Sequence, residues 1–256
     1  MKKIIVSLLS IMMLVGCSQT SNTTNEESDI AYIQEKGELI VGITDFAPMD
    51  YKDESGAWIG FDADVAKKVA EDLGVSVKFV EIDWDNKILE LDNKSIDVVW
   101  NGMTLTDEVK AGMECSKPYI NNAQVIVVAK GNEGKDPSEL KFAVEAGSAG
   151  ETVAEENGFE YVSVPTQADT LLEVSAGTSD ASIIDLLMAG AMIGEGTSYS
   201  DLVYTDSLTS EEYGVGCRKG SDLAAYINEE FKKFQDDGSL LEIAKTYGVQ
   251  ESLIKQ

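Results

Sequence analysis

Apolar and polar positions alternate along this chain in two recurring patterns, short apolar runs and stripes at helical spacing. Leu39-Ile40-Val41-Gly42-Ile43 is a short apolar run and predicts a strand. Residues 62–73 then place Val65, Val69, Ala70 and Leu73 at helical spacing, with Gly74 as the stop. Alternation over 75–82 predicts a second strand, Ile88, Leu89 and Leu91 mark a short helix, and Ile96-Asp97-Val98-Val99-Trp100 predicts a third, buried strand. A long apolar run follows at 124–129, and the loop 130–138 closes it. The pattern then starts again, with strands at 142–144, 161–164 and 181–184 and helices at 150–157, 167–176 and 186–193. Residues 223–234 and 240–247 predict terminal helices separated by Gly238. Strand–helix alternation of this kind implies mostly parallel sheets with helices on their faces. Its occurrence twice implies an α/β protein of two Rossmann-like lobes, with a ligand cleft between them.

Open α/β sheets bind ligands beyond the carboxyl ends of their strands. Four such ends stand out: Thr44-Asp45-Phe46-Ala47-Pro48-Met49-Asp50-Tyr51, Asn101-Gly102-Met103-Thr104-Leu105-Thr106, Glu145-Ala146-Gly147-Ser148-Ala149-Gly150, and Asp185. They offer aromatic faces, hydroxyls, backbone N–H groups and carboxylates.

Composition narrows the function. With 256 residues, 43% of them hydrophobic and 26% charged, the chain can bury a large core. Its 46 acidic and 20 basic residues give a net charge of -26, which excludes nucleic acid and anionic lipid surfaces as partners. The absence of histidine removes the commonest general base and metal ligand, so no metal or cofactor is expected. Met1-Lys2-Lys3, the apolar stretch 4–15 and Gly16-Cys17 together predict a signal peptide over 1–17 that resembles a bacterial lipobox, with Cys17 acylated after cleavage. Residues 18–36 are expected to form a tether; their first part, 18–28, is rich in Ser, Thr, Asn and Glu. Cys115 and Cys217 are permitted to pair in that compartment, and the sequence leaves the pairing open.

The chain resembles the type 3 extracellular solute-binding proteins, the polar amino-acid-binding lipoproteins of ABC importers. Seven stretches carry the resemblance in order: GELIVGITDFAPMDY, GAWIGFDADVAKKVAEDLG, SIDVVWNGMTLTDE, SKPY, AGSAGE, SDASIIDLLMA and GVGCRKGS. It implies a periplasmic-binding-protein type II fold, in which two crossover strands join lobe one (37–122 plus 212–256) to lobe two (123–211). It implies no catalysis. Expected partners are a small-molecule ligand (an amino acid or amine), an ABC permease with its ATPase, and the membrane through the N-terminal lipid; the protein is expected to be a monomer on the extracellular face of the cell membrane.

By the same resemblance, Phe46 and Phe61 sandwich the ligand, with Trp84 as a third aromatic face. Asn101, Gly102, Met103 and Thr104 meet a ligand carboxylate, Ser148 and Ala149 face it from the second lobe, and Asp185 receives the α-amino group. Asp45 and Glu145 add carboxylates to the expected site. Val109 stands where most of the family has an arginine that clamps the carboxylate, and Arg218 matches a different family motif. No cation is found among the matched positions, so the sequence gives extra weight to a cationic or amine ligand. A sensor lobe, and a dehydratase-like enzyme on the same scaffold, are the alternatives of other classes.

Overall fold

The computed structural model describes residues 28–256. The expected signal peptide, Cys17 and the first part of the tether lie outside the described residues. In the first lobe a sheet runs in the order Ser76–Glu81, Glu38–Ile43, Val98–Val99, Gly216–Cys217, Glu114–Cys115. In the second lobe the order is Glu160–Val164, Lys141–Glu145, Ala181–Asp185, Gln124–Ala129, Leu202–Ser207. An antiparallel pair, Ile120–Asn122 with Glu211–Tyr213, joins the lobes. The chain thus crosses from the first lobe to the second and back through two adjacent strands.

Strands near the middle of each sheet are apolar on both faces, because helices cover both sides. Val41, Val98, Val99, Val125, Val127 and Ile184 are all fully buried. The helix Phe61–Leu73 buries Val65, Ala66, Val69 and Ala70 along one stripe, and Gly74 ends it in the left-handed conformation, φ 79°. Each sheet is mixed. Gly216–Cys217 runs antiparallel to its neighbours in the first, and Gln124–Ala129 runs antiparallel to Ala181–Asp185 in the second.

One expectation changes here, and the open question of the cysteines is answered. The segment 29–36, expected to be tether, is the helix Asp29–Lys36; Ser28 caps it and Ile33 lies fully buried in the core. Arg218 binds Asp29 through Nε and Nη2, and Asp97 through Nη2 at 3.3 Å. Cys115 and Cys217 are free thiols. In the antiparallel register Cys115 faces Gly216 and Cys217 faces Glu114, which puts the two sulfurs on opposite faces of the sheet.

Candidate functional site

The cavity between the lobes forms where strands from both sheets end. Thr44, Phe46, Trp84, Lys87 and the stretch Asn101–Thr104 line it from the first lobe, with Thr106, Glu108 and Val109. Glu145, Gly147, Ser148, Ala149, Thr152, Gln167 and Asp185 line it from the second. Its volume, as space open to the centre of a water-sized sphere, is about 30 Å³. The lobes meet closely at its edge. Gly147 has φ 68°, and a Cβ on it would stand 2.8 Å from the Asp85 Cα of the opposite lobe.

The first-lobe floor is tightly hydrogen-bonded within itself. Asn101 Oδ1 accepts from Thr44 N at 3.0 Å and Thr44 Oγ1 at 2.7 Å, while its Nδ2 donates to Asp50 Oδ2 at 2.8 Å. Gly102 adopts φ 55°, and any Cβ would fall 2.2 Å from Phe46 Cε1, so only glycine lets that ring lie against the backbone. Its N–H donates to Asp62 Oδ2 at 2.6 Å. Thr104 Oγ1 donates to Glu211 Oε2 at 3.0 Å. The Gly102 amide and the Thr104 hydroxyl, expected to face a carboxylate, are therefore already engaged with this chain's own acids. Thr106 caps the helix Asp107–Gly112 by accepting from Val109 N at 3.1 Å. Val109 is 3% exposed and packs with Trp84, Met103 and Met113, forming an apolar wall.

Beneath this floor Asp50 and Asp62 are both fully buried. Desolvation raises both carboxyls, and their mutual repulsion adds to it at Asp50. Hydrogen bonds from Gly102 N–H and the Tyr119 hydroxyl pull Asp62 back only in part.

On the second lobe, Asp185 Oδ1 accepts from Asn122 Nδ2, from Gln124 Nε2 at 3.0 Å and from the Tyr213 hydroxyl at 2.8 Å. Its Oδ2 accepts from Gln167 Nε2, and the Asp185 N–H donates to Gln167 Oε1 at 3.1 Å. Burial, then the charge of Glu211, push Asp185 up to about 7. Burial, then the charge of Asp185, push Glu145 up to about 8. Glu145 Oε1 has no hydrogen-bond partner. The Ser148 hydroxyl caps the helix Ala149–Asn157 by accepting from Glu151 N at 3.1 Å.

Two expected residues lie elsewhere. Asp45 is exposed and borders a different surface depression, because the extended segment alternates and turns Thr44 and Phe46 inward. Phe61 is the first residue of its helix and is fully buried, stacked on Tyr119 with ring centroids 6.1 Å apart. Phe46 and Trp84 are the aromatic pair at the cavity, and Tyr213 meets the Phe46 ring edge-on at 6.3 Å. Thr44, Lys87, Thr106, Glu108, Gly147, Thr152 and Gln167 line the cavity without having been singled out as site residues. Lys87 corrects the absence of a cation; its position three residues after Trp84, on the same helical face, was the available signal. Among the described residues no cluster of side chains could hold a metal ion, and no helix is long and apolar enough to cross a membrane.

Residues 39–250 match the family model of bacterial extracellular solute-binding proteins, family 3. The L-cystine-binding protein TcyJ of Escherichia coli (strain K12) is 28% identical over 256 residues, covering 96% of this chain and 95% of its own. The ABC transporter glutamine-binding protein GlnH of Bacillus subtilis (strain 168) is 30% identical over 268 residues, covering 96% of this chain and 97% of its own. Among solved structures, holo ArgBP from T. maritima superposes with a TM-score of 0.76 at 34% identity, covering 85% of this chain and 99% of that one.

Proposed function

Because the chain belongs to the bacterial extracellular solute-binding proteins of family 3, we propose that it captures a small amine-bearing solute, an amino acid, in the interlobe cavity and hands it to the permease of an ABC importer. The family and the relatives named above are binding proteins, and the substrate-binding role follows from them. The observation that carries the choice of solute is the pair Glu145 and Asp185, buried in the cavity with Glu145 Oε1 unpaired. An ammonium group supplies both donors and charge to such a pair. Phe46 and Trp84 can cover an aliphatic stem or face a cation. Acylation at Cys17 would hold the protein on the outer face of the cell membrane, within reach of the permease.

A thermal-shift screen of the secreted chain against amino acids, polyamines, betaines and small carboxylates tests this reading. Amine-bearing solutes are expected to raise the melting temperature by mass action; stabilisation by carboxylates alone would sink it. Asp185→Ala is expected to cost about 2–5 kcal/mol of binding free energy, since it removes one partner of a buried charge pair. Calorimetric titration checks that value.

Val109 favours a second reading, a cationic ligand with no carboxylate, because an apolar wall stands where a clamp is expected. The same screen separates the two, through the polyamines and betaines. Closure has its own test. Gly147→Ala puts a Cβ against Asp85 and strains a left-handed residue, which costs about 1–2 kcal/mol even without the clash. It is expected to weaken solute affinity by about tenfold or more, and unchanged affinity would mean that the lobes do not meet there when the solute is bound.

A further inference from the structure

Among the described residues Lys87 is the one cationic side chain lining the cavity. It opens the short helix Lys87–Asp92 and is only 7% exposed. Its Nζ donates to the Trp84 carbonyl at 3.1 Å and, across the cleft, to the Gly147 carbonyl at 2.9 Å. The Trp84 ring lies 5.1 Å from the same nitrogen. An ammonium has three donors, so one N–H remains after these two bonds. Both recorded acceptors are neutral carbonyls, and an almost buried cation is stable only when an anion pairs with it. Glu108, Glu145, Asp85 and Glu151 lie near enough to act on it at a distance, and none of the four hydrogen-bonds it. Val109 lines the same cavity with an apolar surface, so it cannot meet an anion there.

We infer that Lys87 recognises a carboxylate of the bound solute, making the ligand a zwitterion with its carboxylate at Lys87 and its ammonium at Glu145 and Asp185. This rests on the interlobe cavity being the solute site. The carboxylate accepts a hydrogen bond from the remaining N–H of the ammonium, and the charge sits in place only when the lobes are closed, because one of its two anchors belongs to the opposite lobe. Lys87 therefore makes selection for the acid depend on closure, and it does so from a helix distinct from the one that carries Val109.

The test compares amino acids with their decarboxylated amines by calorimetric titration. The probes are L-arginine and agmatine, L-glutamine and 4-aminobutanamide, L-histidine and histamine, and L-cystine and cystamine. The wild-type protein is expected to bind at least one acid about tenfold or more tightly than its amine. Lys87→Met is expected to weaken that acid by about 30-fold or more and to leave the amine within about threefold, with Lys87→Arg retaining part of the preference. If Lys87→Met does not fold, Lys87→Gln is read in the same way. Equal weakening of acid and amine would reduce Lys87 to a bolt between the lobes and overturn the inference, as would a wild type that binds the amines and not the acids. The underlying reading fails in a different way: no probe of either kind binds, or Asp185→Ala leaves binding unchanged.

Discussion

Between pH 5 and 8.5 the ligand-free protein is expected to lose about 6 kcal/mol of stability or more. The cause is the pair of acids in the cavity, Asp185 held up to about 7 and Glu145 up to about 8, both by burial first and by a neighbouring carboxylate second. In the unfolded chain both ionise near pH 4. Across the window between those values the folded state binds more protons than the unfolded state, so stability falls as pH rises through the folded pKa values. Their contribution is complete below about pH 4 and gone above about pH 8. The chain has no histidine, so the profile reports buried acids: this pair together with Asp62, also pushed up to about 7 by burial, and Asp50, raised by burial and by the charge of Asp62. A solute that brings an ammonium stabilises the ionised pair, so its affinity is expected to rise with pH over the same range. Urea midpoints measured at several pH values, with and without solute, check both slopes. A ligand-free profile that is flat or rises with pH would show that the two acids are not buried together.

Arg218→Met is expected to destabilise the protein by about 3–5 kcal/mol. The guanidinium fits Asp29 as a fork, with Nε at 3.0 Å and 3.1 Å from the two oxygens and Nη2 at 2.9 Å, and Nη1 reaches the Ile96 carbonyl at 2.8 Å. Asp97, whose side chain is fully buried, also accepts from Nη2, from Lys36 Nζ and from the Ile40 N–H. Methionine fills much of the volume and satisfies none of these acceptors. Asp29 would be left almost buried without a counter-charge, and Asp97 with Lys36 alone. For a chain of this length the loss corresponds to a fall in melting temperature of roughly 6–20 °C. Arg218→Lys restores the charge without the fork and is expected to recover less than half of it. A loss under about 1 kcal/mol would mean that the cluster is solvated rather than structural.

The elements were legible wherever the sequence carried a period. The strand at Glu38–Ile43 and the helices Phe61–Leu73 and Gln167–Ala176 lie within one residue of the positions their apolar pattern predicts. Strand direction was not legible, because a run such as Val125 to Val128 reports burial on both faces and nothing about which neighbour pairs with it. The helix Asp29–Lys36 was hidden for a related reason: its buried residues are Asp29 and Ile33, and the partner that makes Asp29 tolerable stands 189 positions away.

At the candidate site, strand ends identified the right stretches more readily than the roles within them. Alternation sends Asp45 out and Phe46 in, yet both stood in one motif. The Gly102 amide was read as facing outward, and only the position of Asp62 shows that it points into the lobe. Lys87 was passed over because its neighbours Ile88 and Leu91 define an apolar stripe, and a lysine beside such a stripe usually belongs to solvent.

The Arg218 clasp also decides where a pull on the chain would be felt. Any force arriving from upstream of Ser28 enters the helix Asp29–Lys36 and passes through Arg218 and Lys36 into the sheet of the first lobe. The second lobe is joined to that sheet through the two crossover strands and through cleft contacts such as Lys87 with Gly147. Were Cys17 acylated as proposed, the first lobe would be the jaw that the anchor holds, and any closure on a solute would fall to the second.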